Sequence, residues 1–244
     1  MNSEEYRKLF ALEQKHWFFT GKRKIVKTWI KRFIPLDQNK VVLDVGACSG
    51  FLVEELNREC LCFGVESSPF AIQLAKQDRK IDNLILGSAL SLPFSDQSCD
   101  VVLALDVLEH VENDFLALSE LVRVTKKNGL ILLTVPAMPW AMSDWDKSLG
   151  HFRRYFLRSL RQLSSNFPLL VLHQNYINTF LFFPVVLYRK LRTIFRVEKY
   201  GRLEDFLPNK WVNKILYYLF VGPALLKWPK MPFGLSALII FRKT

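Results

Sequence analysis

The chain has 244 residues and only four cysteines, Cys48, Cys60, Cys62 and Cys99. None stands at a zinc-type spacing, and all four fall in or beside apolar segments that read as core strands. Buried thiols of a reducing compartment are therefore expected, with no metal bound. The first fifteen residues are charged throughout and lack the apolar centre of a signal peptide. Two apolar runs, Ile177 to Tyr188 and Ile215 to Leu226, are too short and too interrupted by proline to span a bilayer. These absences lead us to expect a cytoplasmic protein. With half of its residues apolar, the chain is long enough for a single domain with one core and decorations.

Against this background one segment stands out, Val41-Val42-Leu43-Asp44-Val45-Gly46-Ala47-Cys48-Ser49-Gly50. Its apolar start has no polar alternation, which suits a parallel strand buried on both faces. Cys60 to Glu66 repeats the pattern, placing Glu66 at the end of a second strand. A buried strand, a glycine-rich turn and a distal carboxylate make a nucleoside-cofactor site. The glycines are separated by three residues, so the Gly-x-Gly-x-x-Gly turn that seats a dinucleotide pyrophosphate is missing. That favours S-adenosylmethionine over NAD.

Ser68-Pro69 supplies an N-cap and a first-turn proline for a helix over Phe70 to Lys76. Leu84 to Leu86 reads as a third strand and Asp100 to Leu105 as a fourth. Asn113 or Asp114 caps a helix with apolar positions Phe115, Leu118, Leu121 and Val122, expected to end at Asn128-Gly129. Gly129 to Val135 follows as a fifth strand. A sixth is expected around Leu169 to Leu172, and Leu235 to Phe241 is the last. Strands alternating with helices at this spacing predict an α/β, doubly wound sheet.

Residues 40–137 resemble the class I S-adenosylmethionine-dependent methyltransferases. The resemblance implies a Rossmann-like, seven-stranded, doubly wound sheet with an N-terminal helical lid and an inserted helical cap before the last strand. The expected divisions are 1–39 for the lid, 40–137 for the cofactor core, 138–176 for an acceptor loop, helix and sixth strand, 177–232 for the insertion and 233–244 for the last strand. It also implies roles. Gly46, Ala47 and Gly50 let backbone approach the cofactor, Asp44 orders the loop and meets the ammonium group, and Glu66 with Ser67 beside it holds the ribose. The family's acidic residue after the third strand is replaced by Gly87-Ser88-Ala89, leaving the Ser88 hydroxyl and the Ala89 amide for the adenine. Asp106 and His110, in the segment after the fourth strand, are candidates for contact with the methionine half.

Two flanking segments resemble one subgroup of that family. Tyr6, Leu9, Phe10, Glu13, His16 and Trp17 lie at helical spacing before the basic cluster Lys22-Arg23-Lys24. This reads either as a lid over the cofactor, with Trp17 excluding water at the substrate side and Lys22 or Arg23 near a carboxylate, or as a helix packed on the sheet edge. Asp146 followed by His151-Phe152-Arg153-Arg154-Tyr155 marks a loop above the transferable methyl group. There His151 is a candidate general base oriented by Asp146, and Arg153, Arg154 and Tyr155 are candidates for binding a carboxylate or phosphate. Equally, the arginines could pair with core carboxylates and Tyr155 could be packing.

Charge is unevenly distributed. Lys and Arg outnumber Asp and Glu by 10 to 4 in residues 1–40 and by 17 to 5 in residues 138–244, but number 7 against 14 in residues 41–137. An acidic core with basic flanks implies an anionic partner. Arg189, Lys190, Arg192 and Arg196 follow the first apolar run, and Lys210, Lys214, Lys227 and Lys230 surround the second. Such helices can lie in the headgroups of an anionic leaflet at the inner face of the membrane, or fold on the core. The expected activity is methyl transfer to an anionic or amphiphilic acceptor, lipid-linked or related to envelope glycans. The alternatives are a nucleic-acid methyltransferase, disfavoured because Asp106-Val107-Leu108-Glu109 replaces the Asn-Pro-Pro-Tyr motif, and a noncatalytic membrane-binding module.

Overall fold

The computed structural model describes residues 3–194, 207–227 and 230–244. Its centre is a seven-stranded sheet in the order β3-β2-β1-β4-β5-β7-β6. The strands are β1 (Val41–Val45), β2 (Leu61–Glu66), β3 (Leu84–Leu86), β4 (Cys99–Leu105), β5 (Thr125–Pro136), β6 (Leu169–Ile177) and β7 (Ser236–Lys243). The first five pair in parallel, and β7 runs antiparallel between β5 and β6. Adjacent residues face opposite sides: Val42 joins a core with Trp29, Leu56 and Phe220, whereas Leu43 joins one with Leu118, Leu160 and Phe182. Both faces are covered, so the central strands carry no polar alternation.

Around the sheet lie α1 (Ser3–Glu13), α2 (Trp17–Phe33), α3 (Phe51–Leu56), α4 (Pro69–Arg79), α5 (Asp114–Val124), α6 (Asp144–Ser148), α7 (Leu157–Ser164), α8 (Phe182–Ile194) and α9 (Lys210–Ala224). Ser68 caps α4 by accepting from the Ala71 amide at 3.2 Å, with Pro69 in the first turn. Asn113 caps α5 through the Leu116 amide at 3.0 Å.

The far end of α5 differs from the sequence expectation. The helix stops at Val124, and Thr125 already pairs with Cys99 as the start of β5. Thr125 donates its hydroxyl to the Leu121 carbonyl at 2.6 Å and turns extended (ψ 132°), which ends the helix early. The ladder then shifts register between Cys99 and Val101, opposite the segment that contains Asn128-Gly129. A bulge thus takes the place of the expected cap. Strand β6 also runs to Ile177, five residues beyond its expected end at Leu172.

The inserted helix α9 lies on α2. Phe220 packs where α2 carries Gly21, and a Cβ there would sit 2.7 Å from the Phe220 ring. Trp29 Nε1 donates to the Ala224 carbonyl at 2.9 Å. Asn213 accepts from the Trp17 amide at 2.9 Å and donates to the Lys15 carbonyl at 2.8 Å, satisfying an amide at the start of α2. Trp17 is buried edge-on against Phe220. Its ring packs between Phe18 of α2 and Phe220 of α9. Of the basic residues expected beside the apolar runs, Arg196 lies outside the described residues. Among those residues, no helix is long and apolar enough to cross a membrane.

Candidate functional site

The glycine turn follows β1 at the carboxyl edge of the sheet, where doubly wound folds place their ligands. Gly46 takes φ +77°, and a Cβ on it would meet Val107 Cγ2 at 2.6 Å. The turn is therefore pressed against the segment that follows β4. The amides of Gly46 and Ala47 both reach the Val65 carbonyl, at 2.8 and 3.1 Å. Gly50 is the N-cap of α3. Glu66 ties the turn to the second strand end by accepting from the amides of Cys48 at 2.9 Å and Ser68 at 2.8 Å, while the Ser67 hydroxyl lies 3.4 Å away. An ionised carboxylate has about four acceptor positions, so capacity remains for a ribose diol.

Three carboxylates converge here. Asp44 is buried at the turn, and burial together with Glu13 and Glu66 pushes its carboxyl up to about 8. Glu13, at the end of α1, is hydrogen-bonded to the Ser49 hydroxyl and is itself raised by burial to about 7, against the pull of Arg23, Arg79 and Lys22. Mutual repulsion of buried carboxylates is relieved by a cation. The cluster thus fits a ligand that carries positive charge beside a ribose, as S-adenosylmethionine does in its ammonium and sulfonium groups. In the sequence Glu13 sits in the apolar stripe of the first helix with no role attached. Its being the acidic member of that stripe is the one signal for it.

At the neighbouring strand end, Asp106 takes a left-handed backbone (φ +56°) and pairs with Lys22 of α2. Thr134 donates to its other oxygen at 2.9 Å. Burial alone would raise the Asp106 carboxyl, but Lys22, Thr134 and His151 together hold it below the usual range. Helix α2 is thereby fastened to the carboxyl edge of the sheet. Arg23 pairs with Glu55 at 2.9 Å on the adjoining α3. Ser88, expected near the adenine, is exposed and accepts from the Leu90 amide at 3.1 Å, with Ala89 half-buried beside it.

The loop after β5, expected to bind the acceptor, is organised around Asp146, which is fully buried. Its Oδ1 lies 3.0 Å from His151 Nδ1 and accepts from Arg154 Nε at 2.7 Å. Its Oδ2 accepts from the Ser143 amide and hydroxyl, each at 2.9 Å. Although burial opposes ionisation, His151, Arg154 and Ser143 outweigh it and hold this carboxyl well below the usual range. Arg154 also donates to the Ala137 carbonyl at 2.9 Å, and the Tyr155 hydroxyl reaches Asp114 at 2.9 Å. Both side chains are buried in the loop's own support. Arg153 is half-buried and pairs with Asp114 at 2.9 Å.

Two features here are invisible in the sequence. Glu109 is fully buried, and neither carboxylate oxygen has a hydrogen-bond partner among the described residues. Burial and the nearby Asp106 push its carboxyl well up. Second, a cleft of about 370 Å³ opens between residues 140–147 and α8. Trp140, Met142 and Val186 line it together with Lys147, Arg189 and Lys190.

Comparison with known proteins agrees with this geometry. Residues 43–133 match the methyltransferase domain family. An uncharacterised methyltransferase of Mycobacterium sp. (strain JLS) is 32% identical over 114 residues, covering 46% of this chain and 45% of the relative. A tRNA (carboxymethyluridine(34)-5-O)-methyltransferase of Arabidopsis thaliana is 31% identical over 117 residues, covering 47% of this chain and 27% of that protein. At most, then, the chain spans about half the length of the curated relatives it matches. The solved structure of an S-adenosylmethionine-dependent methyltransferase from Thermotoga maritima superposes with a TM-score of 0.58 at 17% identity, covering 99% of this chain and 96% of that one. That likeness shows the fold. The match over residues 43–133, together with the strand order and the carboxylate-lined glycine turn, makes this part of the chain similar to the methyltransferase domain family.

Proposed function

We propose that this protein transfers a methyl group from S-adenosylmethionine to an oxygen of an anionic, amphiphilic acceptor, lipid-linked or related to envelope glycans. The observation that carries the first half is the convergence of Glu13, Asp44 and Glu66 on the glycine turn. S-adenosylmethionine supplies a methyl group already activated on a sulfonium, so the protein's part is placement and exclusion of water. Lys22 and Asp106 hold α2 over the site as a lid. Asp146 fixes the His151 ring through Nδ1, which leaves Nε2 to take the proton of a hydroxyl acceptor. A carboxylate acceptor needs no such base.

The acceptor half rests on the cleft beside α8, which joins apolar walls to Lys147, Arg189 and Lys190, and on the insertion's surface. On α9, Phe220, Val221 and Ala224 face the core, while Trp211 (78% exposed), Ile215 and Tyr218 form an outward apolar stripe. Phe183 and Leu187 are exposed on α8, which packs on the other face of the sheet. Exposed Lys210, Lys214, Lys227 and Lys230 border the stripe. An apolar stripe with a basic rim suits the surface of an anionic leaflet.

Calorimetric titration with S-adenosylmethionine and S-adenosylhomocysteine, beside a Glu66→Ala variant, tests the cofactor. Binding by the wild type that is lost in the variant supports the reading, and no binding by the wild type refutes it. Sedimentation with anionic and neutral vesicles, beside Trp211→Ser/Ile215→Ser, tests the acceptor class. Equal indifference to both vesicles would remove the amphiphilic acceptor. RNA binding that falls steeply with salt would put a nucleic acid in its place.

A further inference from the structure

We propose that Glu109, His110 and His151 form a binding site for one divalent transition-metal cation, of which Zn²⁺ is the probe. The proposal deepens the function above, because it rests on the acceptor loop facing the acceptor. It changes one role, making His151 a ligand in place of a proton acceptor.

One ligand atom from each of the three residues lies within 4.8 Å of the other two. They come from two segments clamped together: Glu109 and His110 from the 3-10 turn Leu108–His110, and His151 from the loop after α6. The Phe152 amide donates to the Glu109 carbonyl at 2.8 Å, so the segments are held in register.

Glu109 is the strongest single pointer. Nearby acidic side chains have cationic partners, Asp106 in Lys22 and Asp146 in Arg154. Glu109 is 0% exposed, and among the described residues both its oxygens are unpartnered. A buried carboxylate without hydrogen bonds is costly, and such an orphan in a native fold calls for an occupant.

The imidazoles are arranged as metal ligands are. A ligating histidine commonly donates its second ring nitrogen to a carboxylate or backbone carbonyl, which fixes tautomer and orientation. His151 meets Asp146 through Nδ1 at 3.0 Å, and His110 is hydrogen-bonded to the Gly150 backbone. Their rings meet edge-on with centroids 4.7 Å apart, and His110 is exposed, giving the ion a path in. Two imidazoles and one carboxylate suit Zn²⁺ and its first-row neighbours better than Mg²⁺ or Ca²⁺. Three protein ligands leave a position open for an acceptor oxygen.

The test uses the full chain stripped with a chelator, titrated with Zn²⁺ by calorimetry and with Co²⁺ by visible absorption. One Zn²⁺ per chain and Co²⁺ ligand-field bands are expected. Asp146→Asn, which removes the charge behind His151 along with the counter-charge of Arg154, weakens Zn²⁺ by ~10- to 100-fold when measured below the variant's melting temperature. Glu109→Gln, nearly identical in shape, weakens it further and abolishes the Co²⁺ bands. No Zn²⁺ binding by the wild type, or equal binding by wild type and Glu109→Gln, overturns the site and leaves Glu109 as a buried neutral acid. S-adenosylhomocysteine titration of the same samples separates the two readings. Retained cofactor affinity in Glu109→Gln shows an intact fold, whereas a wild type that binds Zn²⁺ but no cofactor refutes the methyltransferase and spares the metal site.

Discussion

The carboxylate of Asp146 lies 3.0 Å from Nδ1 of His151, and the same oxygen holds Arg154 Nε at 2.7 Å. One buried charge thus sets the orientation of the His151 ring and neutralises a buried guanidinium. Asp146→Asn keeps the shape but leaves Arg154 without its counter-charge. A loss of about 3–5 kcal/mol is expected for breaking such a buried pair. Because folding lowers the Asp146 pKa, its contribution is present above the ordinary carboxylate pKa near 4 and is lost as pH falls below it. The wild type should therefore lose Tm on acidification more steeply than the variant. Equal slopes in a thermal melt series from pH 7 to pH 3 would contradict this.

The raised carboxyls of Glu13 and Asp44 predict a pH dependence for cofactor binding as well. Their ionised forms attract the cationic cofactor, so affinity should rise as pH passes about 7 and about 8. Binding should also release protons, which calorimetry in buffers of different ionisation heat measures directly. For stability the sign reverses. Below the ordinary pKa both states are protonated, and as pH climbs toward 8 the unfolded chain ionises first, so the free protein loses stability. Asp44→Asn should then melt a few degrees higher than wild type at pH 8 while binding cofactor far more weakly.

Gly46→Ala combines two costs. A left-handed backbone costs about 1–2 kcal/mol for a residue with a Cβ, and the new Cβ meets Val107 Cγ2 at 2.6 Å. Displacement of the turn should weaken cofactor binding at least ~10-fold, which corresponds to about 1.4 kcal/mol. Adding Val107→Ala removes the clash but not the backbone cost, so partial recovery is expected. Full recovery in the double variant would show that conformation contributes nothing.

Phe220→Ala should cost about 3–5 kcal/mol, the range for truncating a buried aromatic ring. Its ring fills the space beside Gly21 and stacks on Phe18. Since α9 is anchored to α2 around this residue, limited proteolysis should cut within residues 207–227 in the variant first. Cleavage no faster than in wild type would mean that Trp29, Asn213 and Arg32, which also bond across the two helices, are sufficient to hold α9.

Much of the cofactor side was legible in the sequence because its signals are local. The run Val41 to Gly50 contains the strand, the turn and the first carboxylate, and Ser68-Pro69 and Asn113 mark helix starts by the chemistry of their own side chains. The end of α5 was misread for a related reason. Asn128-Gly129 is a legitimate helix stop, but the pairing of Thr125 with Cys99 across the sheet ends the helix earlier. Propensity competed with a long-range ladder and lost.

Periodicity and turn chemistry within the chain determined the alternation of strands and helices, the glycine turn with Asp44 and Glu66, and the apolar stripes of the flanks. Tertiary structure alone decided which side chains meet across distant segments: Glu13 against Asp44, Lys22 on Asp106, Phe220 in the space at Gly21, and Glu109 with His110 and His151. The physical reason is range. Backbone preferences and capping act over a few residues, whereas burial and Coulomb interactions act through space and depend on how the whole sheet brings those segments together.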